Sequence, residues 1–176
     1  MFEDVKELNP QFVRIARDRG DNIIFDFNGV EYLARDKEKY GELELDNYLT
    51  QLDDENAIYE YHISLRSADK KRALLIFESD KLGGDDVILK LTRLIRERGV
   101  KFILKSSGNR SLHLCIPIIS ETEEEYNKQW LGVFYLLGVE ERELIDEQLN
   151  KFSGQIRGFY SLHLKTYKHS EVLEDE

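Results

Sequence analysis

Cysteine is almost missing from this 176-residue chain, with Cys115 the one thiol. That excludes a disulfide framework and any multi-cysteine zinc site, so no zinc is expected. Proline is scarce too, two in all, and neither a repeat nor a low-complexity stretch interrupts the sequence. Without a linker, residues 1–176 read as one domain, long enough for a real core. No apolar run approaches the ~18 residues that a membrane-spanning helix needs, so no membrane partner is expected. The opening MFEDVKEL is acidic, unlike a secretory leader, and the expected compartment is the cytoplasm.

Positive charge is also in deficit. The net charge is −10, which by itself argues against a nucleic-acid surface. Its distribution changes the reading. Glu171, Glu174, Asp175 and Glu176 hold four of the negative charges, and Glu121, Glu123, Glu124 and Glu125 hold four more; without these eight the chain would carry −2. Both acidic clusters read as solvated faces with no specific role. Residues 151–170 are the exception, with Lys151, Arg157, Lys165 and Lys168 and no acid.

What is present is a mixture of strand and helix patterns. Residues 8–19 are expected to be helical, and NIIFDF and VEYLA flank Asn28-Gly29, a hairpin signal. ELDNYLTQL (44–52) predicts a short helix. YEYHISL alternates like a half-buried strand, and ALLIF (73–77) is a continuous apolar run expected in the middle of a sheet. Val87, Leu91, Leu94 and Ile95 predict a helix over 86–98, with Gly-Gly-Asp-Asp before it as turn and N-cap and Gly99 ending it. FILK (102–105) and SLHLCIPI (111–118) predict strands. A helix is expected over 121–137 with Tyr126, Trp130, Val133, Phe134 and Leu137 inward, a short one at ERELIDEQL, and a final strand at QIRGFYSLHLKT (155–166). No strict strand–helix alternation appears, so the fold class is α+β, a partly antiparallel mixed sheet flanked by helices.

Three polar groups fall at strand ends or on strand faces. Glu78 and Asp80 follow ALLIF, and an i, i+2 pair on extended chain points both carboxylates the same way, as a divalent metal would require. In 111–118, Leu112, Leu114, Ile116 and Ile118 share one face and Ser111, His113 and Cys115 the other. Ser106, Ser107, Gly108, Lys105 and Arg110 lie just before His113, a set of hydroxyls, permissive backbone and positive charge suited to phosphate oxygens. In the last stretch, period two aligns Arg157, Phe159, Ser161, His163 and Lys165 on one face, with no acid among them.

In this order the groups resemble the three catalytic motifs of the archaeo-eukaryotic primase superfamily, in particular the DNA primase small subunit. LLIFESD resembles a hydrophobic strand ending in Asp-x-Asp, with Glu78 in the first acidic place and Asp80 in the second. SGNRSLHLCIPI resembles Ser-Gly-x-x-Gly-x-His and its apolar strand, matching Ser107, Gly108 and His113, with Ser111 where glycine is usual. LIDEQL offers Asp146 as the third carboxylate, and RGFYSLHLKT matches Arg157, Ser161, His163, Lys165 and Thr166, with Tyr167 where glycine is expected. The similarity spans roughly residues 20–170, without the family's cysteine-based zinc element.

The resemblance implies a primase-polymerase core with an RRM-like palm. It implies Mg²⁺ or Mn²⁺ held by Glu78, Asp80 and Asp146, hard oxygen ligands that suit those ions. It implies a nucleoside triphosphate held by Ser107, Arg110, His113, Arg157, Ser161, His163 and Lys165. The activity would be template-directed nucleotide transfer, making or extending primers. With basic residues confined to the motifs, DNA template binding is expected to be weak for the chain alone, and a partner subunit or replication protein is implied. Glutamate at 78 leaves a second reading open, a catalytically reduced nucleotide-binding or structural subunit.

Overall fold

The computed structural model describes residues 10–16, 60–67, 71–147, 152, 154–158, 161–163 and 165–176. The expected hairpin at Asn28-Gly29 and the expected helix at 44–52 lie outside them. Among the described residues the fold is α+β. Its elements run β1 Pro10–Ala16, β2 Glu60–Ser67, β3 Arg72–Glu78, α1 Gly84–Arg96, β4 Ile103–Ser106, β5 Leu112–Ile119, α2 Glu123–Phe134, α3 Val139–Arg142, β6 Gln155–Arg157, β7 Leu162–His163, β8 Lys168–His169 and β9 Val172–Asp175. The main sheet has the order β1-β2-β3-β5-β4-β9, with β6 also pairing β2, while β7 and β8 form a separate ribbon. Every pairing among the described residues is antiparallel, which corrects the expectation of a mixed sheet.

The centre of the sheet follows from local pattern. β3 is apolar from Ala73 to Phe77 because both of its faces are buried. After it, α1 crosses over to β4, and β5 returns between β3 and β4, a split βαβ arrangement. Helix α1 turns Val87, Ile88, Leu91 and Ile95 onto Leu75, Phe77, Leu104 and Leu114, and α2 adds Tyr126, Trp130 and Phe134 to the same core. Trp130 stacks between Phe77 (centroids 5.2 Å apart) and Phe134 (4.6 Å). No helix among the described residues is long and apolar enough to cross a membrane.

The open edge of β3 decides what lies next to it. Leu74 stands opposite Pro117, which has no N–H to give. Leu74, Ile76 and Glu78 are therefore at the non-hydrogen-bonded positions against β5, and their carbonyls turn to the other edge. There, among the described residues, β2 meets β3 only at Arg66↔Ala73. The exposed row of acceptors is satisfied by other groups: the Tyr126 hydroxyl donates to the Leu74 carbonyl (3.1 Å), the Trp130 indole N–H to Ile76 (3.2 Å) and the Asp146 amide to Glu78 (2.9 Å). A buried carbonyl without a donor costs about 1–3 kcal/mol, so this edge holds α2 and the segment after α3 in place.

Five local expectations are corrected. Residues 10–16 are strand β1, paired with β2 from Pro10↔Ser67 to Ala16↔Glu60, where a helix over 8–19 was expected; the sheet partner overrides helical spacing. The cap of α1 is Gly83 at φ 81 with no side-chain cap bond, and Asp85 and Asp86 stand in the first turn instead, where the helix dipole favours them. Residues 155–166 are not one strand. The chain leaves β6 at Gly158 and resumes in β7, so Arg157 pairs across to His62 in the main sheet while His163 pairs Lys168 in the ribbon. The acidic clusters also have specific roles. Glu125 closes a capping box with Thr122 at the start of α2. The tail becomes edge strand β9 on β4, with Arg96 gripping Glu174 and Glu176. Of the helix expected at ERELIDEQL (141–149), residues 141 and 142 end the single turn Val139–Arg142, residues 143–146 are outside any helix, and 148 and 149 lie outside the described residues.

Candidate active site

Register places the candidate residues. Glu78 of β3 pairs His113 of β5, and His113 pairs Lys105 of β4. An acid, an imidazole and an amine thus form one row across three strands, on the sheet face away from α1 and α2. The non-hydrogen-bonded pairing of Glu78 with His113 brings their side chains closest, and the Glu78 carboxyl touches His113 Nε2. The next row toward the turn is Ser107 and Ser111, where the Ser107 hydroxyl accepts from the amides of Asn109 (3.2 Å) and Ser111 (3.3 Å). The Ser111 hydroxyl lies 3.4 Å from His113 Nε2. The row below is Ile76, Cys115 and Ile103, all buried, and burial pushes the Cys115 thiol up to about 12, so it is an inert part of the floor.

This polar row is buried. His113 is 5% exposed and Lys105 is 0% exposed. Burial raises the Glu78 carboxyl to about 7, and the charge of Asp146 adds to that while Lys105 opposes it. Burial brings the Lys105 ammonium down to about 8, Arg157 adding in the same direction and Cys115 and Glu78 opposing. His113 is held well below its ordinary value by burial, Lys105 and Arg157, against Asp80 and Asp85. The Glu78–His113 contact is accordingly a hydrogen bond to a neutral imidazole. His113 Nδ1 is buried and has no hydrogen-bond partner among the described residues, a buried polar atom of the kind a ligand oxygen would satisfy.

The other candidates gather around this row to different degrees. Asp146 meets Glu78 through its own amide, and its charge reaches the Glu78 carboxyl. Asp80 is exposed just past β3, and its charge reaches His113. Arg157 is half-buried, donates to the Leu162 carbonyl (3.3 Å) and acts on both Lys105 and His113. His163 is half-buried with Nδ1 accepting from the Lys165 amide (3.2 Å). Lys165 and Arg110 are exposed. Ser161 is fully buried, and its hydroxyl donates to the Leu162 carbonyl.

Two features were not legible as site residues. Ser170 is buried, accepts from Lys105 Nζ (2.9 Å) and donates to the Ser106 carbonyl, so it fixes the amine beneath the row. Asp85 accepts from the Leu112 amide (3.1 Å), which pins the start of β5 and with it His113. The one sequence signal for the first was the place of Lys105 on the same strand face as buried Ile103.

A divalent metal fits these residues by donor chemistry. Glu78 and Asp146, joined through their main chains at the end of β3, both carry hard oxygen donors, and Asp80 follows Glu78 two residues later. Burial, with the Asp146 charge second, raises the Glu78 carboxyl, and a bound cation would bring it back down. Among the described residues no three His, Cys, Asp or Glu side chains are already grouped to hold an ion. The chain matches no protein-family model and no curated protein.

The buried pair gives an expected pH profile without metal. The folded chain binds the Glu78 proton more tightly than the unfolded chain. Stability from this group is therefore complete below about pH 4.5 and lost as pH rises through about 7. Lys105 acts in the opposite sense. The unfolded chain holds its proton up to about 10.5 and the folded chain only to about 8, so stability recovers across that window. Denaturant titrations in EDTA should show wild type losing up to about 3 kcal/mol relative to Glu78→Gln between about pH 4.5 and 7 and then levelling off, because the Lys105 contribution is common to both chains. A difference curve that is flat between pH 5 and 8 would place Glu78 in water.

Proposed function

We propose that this chain is a metal-dependent nucleotidyltransferase of the primase type, making or extending primers from nucleoside triphosphates on a nucleic-acid template. The observation that carries the reading is the meeting of Glu78 and Asp146 at the end of β3, beside the Glu78–His113–Lys105 row. The split βαβ order of β3, α1, β4 and β5 supports a palm of the RRM type, as the motif resemblance implies.

In this reading Glu78, Asp80 and Asp146 hold Mg²⁺ or Mn²⁺. The ion, when bound, would lower the pKa of the attacking hydroxyl and offset charge on the phosphates. The chain's own residues position the nucleotide. The 107–110 turn would bring the Arg110 guanidinium and the proton of the Ser107 hydroxyl, whose oxygen already accepts from the Asn109 and Ser111 amides, to phosphate oxygens, and His113 Nδ1 offers one more contact. Arg157 and Lys165 add positive charge, and His163 adds a ring nitrogen. Lys105 and Ser170 act underneath, keeping a buried cation against the carboxylates. Catalysis here is positioning and electrostatics, which phosphoryl-type transfer chiefly requires.

A catalytically reduced nucleotide-binding or structural subunit is the second reading. The engagement of Glu78 with His113, and its near-neutral carboxyl, favour it. Nucleotide incorporation on a primed template with Mn²⁺ separates the two. Incorporation by the wild-type chain supports the enzyme, and none with nucleotide still bound supports the subunit.

DNA affinity is a further expected result. With a net charge of −10 and local basic clusters only, the isolated chain should bind duplex weakly and lose that binding steeply with salt. A gel-shift titration showing tight, salt-insensitive binding would contradict this and remove the need for a partner subunit.

A further inference from the structure

Thr166 and Tyr167 turn the chain from β7 into β8, and both amides donate to the His163 carbonyl (3.0 and 2.7 Å). Tyr167 makes this turn at φ 55, and among the described residues it alone, apart from glycines, has a positive φ. Short polar residues tolerate that region, and a bulky aromatic there is an outlier. Strain of this kind persists where surroundings enforce it and collects at ligand sites. Burial does not explain the choice, because Tyr167 is 75% exposed.

Its surroundings are those of a nucleic-acid contact. Exposed Lys165 and Lys168 flank it, inside the acid-free segment 151–170. Lys168 and His169 line a cavity of about 320 Å³ with Ser106, Gly108, Asn109 and Glu171. That volume lies at the low end for ligand pockets and suits one base rather than a whole nucleotide. Lys168 and Glu171 set a donor and an acceptor on the same cavity, which fits the mixed edge of a base better than a phosphate. The cavity adjoins the phosphate turn. The Thr166 hydroxyl donates to the Gly108 carbonyl (2.6 Å), and a Cβ on Gly108 would stand 2.9 Å from the Lys168 carbonyl, so turn and ribbon form one surface. Exposed rings beside cations are how proteins hold unpaired bases.

We propose that Tyr167, which precedes the cavity-lining Lys168 in the chain without lining the cavity itself, is the stacking face of a nucleobase subsite beside that cavity, filled by a base of single-stranded nucleic acid or of the nucleotide itself. The proposal rests on the nucleotidyltransferase reading above. Tyr167→Gly removes the ring and releases the strained φ, and Tyr167→Trp keeps a stacking face. Binding is measured at low salt, by anisotropy with a labelled oligothymidylate of about a dozen residues. Calorimetry with ATP and with inorganic tripolyphosphate, each with Mn²⁺, completes the set. Tyr167→Gly should bind the oligonucleotide roughly tenfold more weakly if the base belongs to the strand, or ATP roughly tenfold more weakly if it belongs to the nucleotide. Tripolyphosphate binding should not change, Tm should stay level or rise, and Tyr167→Trp should retain wild-type affinity. Equal binding of oligonucleotide and ATP by Tyr167→Gly and wild type overturns the subsite, and leaves the enzyme reading standing if tripolyphosphate still binds. A wild-type chain that binds none of the three probes removes both.

Discussion

Asp146→Asn is expected to lower nucleotide incorporation by more than about 100-fold, beyond the ~10–100-fold typical of groups that only support a metal ligand. Asparagine has the same shape, and the main-chain bond from residue 146 to the Glu78 carbonyl (2.9 Å) does not depend on the side chain. The substitution therefore removes a charge and leaves the segment in place. A second readout separates catalysis from folding. The Asp146 charge is the second largest cause of the raised Glu78 carboxyl, so the variant should bring that carboxyl down toward its ordinary value. The metal-free variant should accordingly be as stable as wild type near pH 7, or more so, while losing the stabilisation that Mn²⁺ gives the wild-type chain by mass action. Activity within tenfold of wild type, with Mn²⁺ still raising Tm, would take Asp146 out of the metal set and leave the subunit reading in front.

Trp130→Ala should have the largest effect on stability, a loss of about 3–5 kcal/mol. The ring is 2% exposed between Phe77 and Phe134, in a core that α1, α2 and the three central strands share. Its N–H also covers the Ile76 carbonyl on the open edge of β3. For a chain of this length the loss corresponds to a fall in Tm of about 6–20 °C. Trp130→Phe isolates the polar part, because it keeps an aromatic ring and leaves the Ile76 carbonyl without its donor, at about 1–3 kcal/mol. Thermal melts by circular dichroism give both numbers. If Trp130→Phe is as stable as wild type, the edge of β3 is reached by water and the account of how Asp146 is held weakens with it.

Sequence alone determined the parts of this protein whose pattern is local. The spacing of Val87, Leu91 and Ile95 predicts α1, and the short unbroken ALLIF run, bounded by charged residues and too short for a helix, reads as a strand buried on both faces. Alternation in β5 put Leu114 and Ile116 on one face and His113 and Cys115 on the other before any partner was known, because successive side chains on a strand must alternate. The tertiary structure decided everything that depends on a neighbour. Residues 10–16 became strand because β2 offers a ladder. The acidic tail became β9 because β4 has a free edge and Arg96 lies beside it. One pattern of alternation from 157 to 165 broke at Gly158 because two different sheets claim its ends. The candidate site is of this second kind. Glu78, Asp80 and His113 could be named from the chain, but not that His113 would be buried between Glu78 and Lys105, nor that Asp146 would arrive at Glu78. Those follow from the antiparallel register and from Pro117, whose missing N–H places Leu74, Ile76 and Glu78 so that their carbonyls turn to an edge where Asp146 donates to the last.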